Sequence, residues 1–142
     1  MELEQQVVSL DLAKRLKKLG AKQESQFFWW IHNDGSARLI TKHETFEAFH
    51  AVQNRVSAFT FAEIGEVLPD HLTAEEVGEE PPKGSTNLTI EKFVNGVWSV
   101  CYENYEHHRY VPDYTARTSI DAMAKMLVYL LRYEVIPKPK AA

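Results

Sequence analysis

The chain has 142 residues, 44% hydrophobic and 25% charged, with a net charge of −4. That is enough for one domain spanning residues 1–142 with a substantial core, and it excludes a disordered chain. The negative balance disfavours nucleic acid as a partner, no apolar run approaches the ~20 residues of a membrane span, and the acidic start Met1-Glu2-Leu3-Glu4 is unlike a secretory leader, so the cytoplasm is the expected compartment.

The first predicted element is a helix. Val8, Leu12, Leu16 and Leu19 recur on one helical face, while Lys14, Lys17 and Lys18 fall on the other. Ser9 or Asp11 can accept from the free N–H groups of its first turn, and Gly20 is placed to close it.

A hairpin follows, centred on Asp34-Gly35 between Phe27-Phe28-Trp29-Trp30-Ile31 and Arg38-Leu39-Ile40. Asn/Asp-Gly suits a two-residue type I′ turn. With that loop Trp30 faces Leu39 and Trp29 faces Ile40, so Phe27, Trp29, Ile31 and Ile40 share one apolar face and Phe28, Trp30 and Leu39 the other. Either the ribbon is covered on both sides, or one face is left for a partner; the first set is the candidate interface.

Residues 43–57 read as a loop or irregular helix. Thr60 and Glu63 then form a T-x-x-E capping box ahead of an apolar stripe of Phe61, Ile64 and Leu68, ended by Pro69. Gly65 in mid-helix calls for a close approach by another element. Asp70 to Thr86 is a polar connector expected to be flexible, and seven acids but no Lys or Arg lie between Phe61 and Pro82.

The second hairpin, from about Asn87 to Asn104, turns at Asn95-Gly96. Tyr105 to Arg117 reads as a loop. The last helix is capped by Thr118 or Ser119 and carries Ile120, Met123, Ala124, Leu127, Leu130 and Leu131 on one broad stripe, with Lys125 and Arg132 pointing away. Pro137 and Pro139 end regular structure, leaving a frayed tail over about 137–142. The order α-ββ-α-ββ-α predicts an α+β fold, with two hairpins in a mainly antiparallel sheet packed by about three helices.

No nucleotide-binding, zinc or catalytic motif is present, and the spacing of the six histidines is not that of a metal site, so neither cofactor nor metal is expected. The single cysteine, Cys101, excludes an internal disulfide and reads as an apolar filler in a strand. The densest set of ionisable and aromatic groups follows the second hairpin: Glu103, Tyr105, His107, His108, Arg109 and Asp113, a candidate ligand site. Trp29, Trp30 and Trp98 could stack single-stranded bases, against the acidic net charge. Self-association as a homodimer, or contact with another protein, fits two aromatic hairpins without a catalytic signature.

Three stretches, Ser9–Gly20 with Gln23-Glu24-Ser25 and Phe28-Trp29-Trp30, Ala58–Pro69, and Asp121–Leu131, resemble a group of small bacterial and phage-borne proteins of about this length with no assigned activity. The resemblance implies a phage or prophage setting and carries no catalytic residues. The leading expectation is a non-enzymatic binding or adaptor protein. A small enzyme or ligand-binding domain using the 103–114 loop and a single-strand nucleic-acid binder are the alternatives.

Overall fold

The computed structural model describes residues 2–43, 54–73, 86–104, 106, 109 and 111–137. After a 3-10 turn at Leu3–Gln5, the elements are α1 (Leu10–Lys18), β1 (Phe27–Ile31), β2 (Ala37–Thr41), β3 (Arg55–Ser57), α2 (Phe61–Val67), β4 (His71–Leu72), β5 (Thr86–Lys92), β6 (Trp98–Glu103), β7 (Tyr114–Ala116) and α3 (Ser119–Arg132). The fold is α+β. The strands form two antiparallel sheets, β2-β1-β3 and β4-β5-β6-β7, where one was expected. The extra strands account for the difference. β3 falls in the stretch read as irregular, β4 in the polar connector and β7 in the loop before α3. Residues 44–53 and 74–85, which hold the rest of the irregular stretch and of the connector, lie outside the described residues, as does the tail beyond Pro137.

Helix ends follow local chemistry. Gly20 takes φ +91°, its N–H donates to Lys17 O, and Ala21 N–H donates to Leu16 O, which satisfies two carbonyls the helix leaves open. Ser9 stands at the N-cap of α1 without a side-chain cap bond; its N–H instead donates to Asp121 Oδ1 at 2.9 Å, tying α1 to α3. Thr118 caps α3 by accepting from Asp121 N–H at 3.2 Å. The stripe on α3 is buried as expected, joined by Ala122 and Met126, and α3 packs against α1, α2, β6 and β7.

Both hairpins turn through three residues, not two. His32 N–H donates to Ser36 O at 2.7 Å and Gly35 N–H to His32 O at 3.0 Å; in the second, Phe93 N–H donates to Val97 O at 2.8 Å and Gly96 N–H to Phe93 O at 2.9 Å. Gly35 and Gly96 have φ +86° and +81°, while Asp34 and Asn95 keep negative φ, which rules out type I′. The Asx side chains explain the choice. Asp34 Oδ1 accepts from Ser36 N–H at 2.9 Å, and Asn95 Oδ1 from Val97 N–H at 3.0 Å, so each bonds the chain two residues on and leaves only the glycine left-handed. The Ser36 hydroxyl and amide also hold the Asp34 carboxyl below its ordinary value.

One extra loop residue shifts the pairing by one. Trp29 lies opposite Leu39 and Phe28 opposite Ile40, so Leu39 and Ile40 exchange the faces expected of them. Phe27, Trp29, Ile31, Leu39 and Val56 turn to the common core; Phe28, Trp30, Ile40 and Arg55 turn away from it.

A carboxylate links these parts. Glu63 completes the capping box with Thr60, accepting Thr60 N–H at 2.7 Å while Glu63 N–H donates to Thr60 Oγ1 at 3.3 Å. It also accepts Gln26 N–H at 3.0 Å and the Ser25 hydroxyl at 2.8 Å, fixing the entry to β1. Residues 58–60 then run between two neighbours: Ala58 N–H donates to Phe27 O, Val8 N–H donates to Phe59 O, and Val7 bridges Thr60.

Glu63→Ala is expected to cost about 2–3 kcal/mol in urea denaturation, because it strands donors on two segments at once. Gly65→Ala is expected to stabilise by about 0.5–1 kcal/mol in the same assay. The close approach expected at Gly65 is an ordinary contact, with Met123 Cε 3.8 Å from an added Cβ, so the methyl group fits.

Candidate functional site

In sheet β4-β5-β6-β7 the residues alternate between two faces. Leu88, Ile90, Trp98, Val100, Tyr102 and Tyr114 meet the core. Cys101 and Glu103 lie on the reverse face of β6. There the structure brings together three charged groups and a thiol. The Arg109 guanidinium stands 3.4 Å from Glu103 Oε2 and 3.7 Å from Asp113 Oδ1, and the Cys101 thiol donates to Glu103 Oε2 at 3.7 Å. Of the expected site, Glu103, Arg109 and Asp113 therefore meet; Tyr105, His107 and His108 lie outside the described residues.

The chemistry of this cluster is inward. One cation is shared by two carboxylates, so Arg109 is occupied and the three groups together keep one negative charge. Burial is the main influence on Cys101 and pushes its thiol above the ordinary value, with Arg109 pulling it down and Glu103 pushing it up. A thiol kept protonated is a poor nucleophile. Among the described residues no group of three or more His, Cys, Asp or Glu could hold a metal ion.

The four residues of the candidate interface do not form one surface. Trp29 is buried and its indole N–H donates to Val8 O at 2.8 Å; Ile40 is buried on the opposite face of the ribbon; Phe27 and Ile31 are half-buried beside the core. Of the other tryptophans, Trp30 carries the Arg38 guanidinium 5.2 Å from its ring centre and Trp98 carries Lys92 Nζ at 5.4 Å.

Three surface features were not singled out from the sequence. The β5–β6 tip exposes Val94 fully and Phe93 by 44%. An apolar pocket of about 230 Å³ is lined by Phe59, Ile64, Val67, Leu127, Leu131 and Pro137 and edged by Lys22, Glu24 and Glu66. A groove of about 560 Å³ runs between α1 and α3, where Arg15, Lys125 and Arg132 meet Tyr114, Tyr129 and Tyr133. The tip was legible in principle: Phe93 and Val94 precede Asn-Gly, but a two-residue loop assigns both to the strand. The groove was hidden because Arg132 read only as pointing away from the stripe of the last helix, and Tyr129 and Tyr133 were not singled out.

A scan of protein-family models, a search of curated proteins and a search of solved structures each returned no match to this chain. Among the described residues no helix is long and apolar enough to cross a membrane.

Cys101 is expected to react with a thiol reagent at mildly alkaline pH at least ~10-fold more slowly in the native protein than in denaturant, since the reactive thiolate is suppressed. Because folding raises its pKa, the proton is held more tightly in the folded state. The resulting stabilisation is present below the unfolded thiol's pKa and lost as pH rises through the folded value, so alkaline denaturation of Cys101→Ser should fall off less steeply than that of the wild type.

Proposed function

We propose that the protein is a non-enzymatic binding protein that works by association, the β5–β6 tip of one copy seating in the apolar pocket between α2 and α3 of the next. The observation that carries this reading is the chemistry of two turns with one backbone design. The first exposes Asn33, Asp34 and Ser36; the second exposes Phe93 and Val94, although turn geometry asks for neither. Exposed apolar groups at a rigid hairpin tip suit insertion into a partner's pocket.

The pocket supports a second copy as that partner. Val67 at its edge is half exposed, and Glu66 beside it has no partner among the described residues. Lys92 flanks the tip next to Glu91 and is the cation there that can pair with Glu66 when the tip is seated. Such a contact joins unlike surfaces and builds rings or open chains. Its anchor is smaller than a standard interface of ~1,200–2,000 Å², so association is weak and concentration-dependent. The resemblance to phage-borne proteins supports a phage or prophage setting. The Glu103–Arg109–Asp113 cluster is read as a structural set of ion pairs on the reverse face of β6.

Sedimentation equilibrium is expected to give an average mass that rises with concentration and falls to the monomer in Val94→Asp. Lys92→Glu and Glu66→Lys should each weaken association, and the two combined should restore it. A wild type that stays strictly monomeric at high concentration, or a Val94→Asp variant that associates normally, overturns the proposal.

A further inference from the structure

The groove between α1 and α3 reverses the charge of the molecule around it. The chain as a whole carries −4, yet the groove wall contains Arg15, Lys125 and Arg132 and no carboxylate. Little in the fold neutralises these cations. Lys125 Nζ donates to the backbone carbonyl of Thr115 at 2.7 Å, and Arg132 has no carboxylate partner among the described residues. Arg15 pairs with Asp11 at 3.3 Å, but both side chains are well exposed, and a pair of that kind is weak enough to exchange for another anion.

Beside the cations stands a row of aromatic rings. Tyr114 and Tyr129 have centroids 5.8 Å apart, and Tyr129 and Tyr133 4.7 Å apart. Tyr133 is 60% exposed, and its three neighbours in this wall (Tyr129, Arg132 and Lys125) come from one side of α3. The Arg132 guanidinium lies 5.7 Å from the Tyr133 ring centre. With 60% of its surface exposed, Tyr133 leaves room for a further planar group beside Tyr129 and Arg132. Stacking with adjacent cations recognises a base and its phosphate together, whereas an acidic peptide would engage the cations alone.

We infer that this groove binds single-stranded nucleic acid, with a base stacked on Tyr133 and the neighbouring phosphates on Arg132, Lys125 and Arg15. Cations on both walls, Arg15 from α1 and the others from α3, favour a strand with several phosphates over a single nucleotide. The exposed Lys18, one turn on from Arg15, continues the positive edge along α1. The tryptophans are not needed for this mode, since Trp29 is buried and neither Trp30 nor Trp98 lines the groove.

The test is fluorescence anisotropy of a labelled short oligothymidylate with the full chain at low ionic strength. Binding is expected to weaken with salt with a logarithmic slope of about −1.4 to −2, as for two or three phosphate contacts on a single strand. Tyr133→Ala should weaken binding about tenfold and Tyr133→Phe should preserve it, because the stack survives loss of the hydroxyl. Arg132→Gln should make the slope shallower by about 0.7. The Val94→Asp variant should bind as the wild type, which separates this site from association through the hairpin tip. No binding at low salt overturns the inference. So does binding indifferent to Tyr133→Ala and Arg132→Gln, equal binding of polyglutamate, or displacement of the strand by thymidine monophosphate at equal phosphate concentration.

Discussion

The Glu63 carboxylate is the constraint on which the first half of the molecule depends. It takes hydrogen bonds from its own helix start and from the chain entering β1, so α2 and the three-stranded sheet are set relative to one another through one side chain. The stretch 58–60 then lies with Phe27 on one side and Val7-Val8 on the other, joined by main-chain bonds to both. Charge-assisted bonds to backbone N–H groups are stronger than neutral ones, and they have a direction that apolar packing lacks. Apolar contacts fill the core; Glu63 decides the angle at which its pieces meet.

The second organising element is α3. Its central stripe is buried against α1, α2 and the four-stranded sheet, and its two borders serve different surfaces. Leu127 and Leu131, one turn apart, line the apolar pocket. Lys125, Val128, Tyr129 and Arg132 line the tyrosine groove. Because successive residues step about 100° round a helix, one well-buried cylinder can present an oily edge and a cationic edge without compromising its core. The proposed association and the proposed strand binding therefore share a rigid support while using separate side chains.

Features governed by neighbours in sequence were legible from it. The Gly20 helix stop, the Thr60–Glu63 box, the Thr118 cap and the stripe of α3 all involve residues within four or five positions, where composition and spacing carry the physics. Register was not legible in the same way. Asp-Gly and Asn-Gly fit both a two-residue turn and a three-residue turn with a glycine bulge, and the outcome depends on whether the Asx oxygen accepts from the chain two residues ahead. The short strands β3, β4 and β7 escaped notice because two or three residues show no period; partners far along the chain define them. At the candidate site, Glu103, Arg109 and Asp113 meet as a dense loop would lead one to expect. Cys101 joins them because alternation along β6 places it on the same face as Glu103, which follows from strand geometry once the strand is known.

The bond from Ser9 to Asp121 spans 112 positions, and it holds the beginning of α1 to the beginning of α3. During synthesis α1 emerges with its greasy side uncovered, and its contact with α3 forms only once the chain as far as Arg132 has been made. β3 and the Trp29 indole meet α1 and Val8 earlier in the chain, but the cover that α3 supplies is the last of the described elements to be made. A truncation that removes α3 therefore exposes part of α1 as well as the site it vacates.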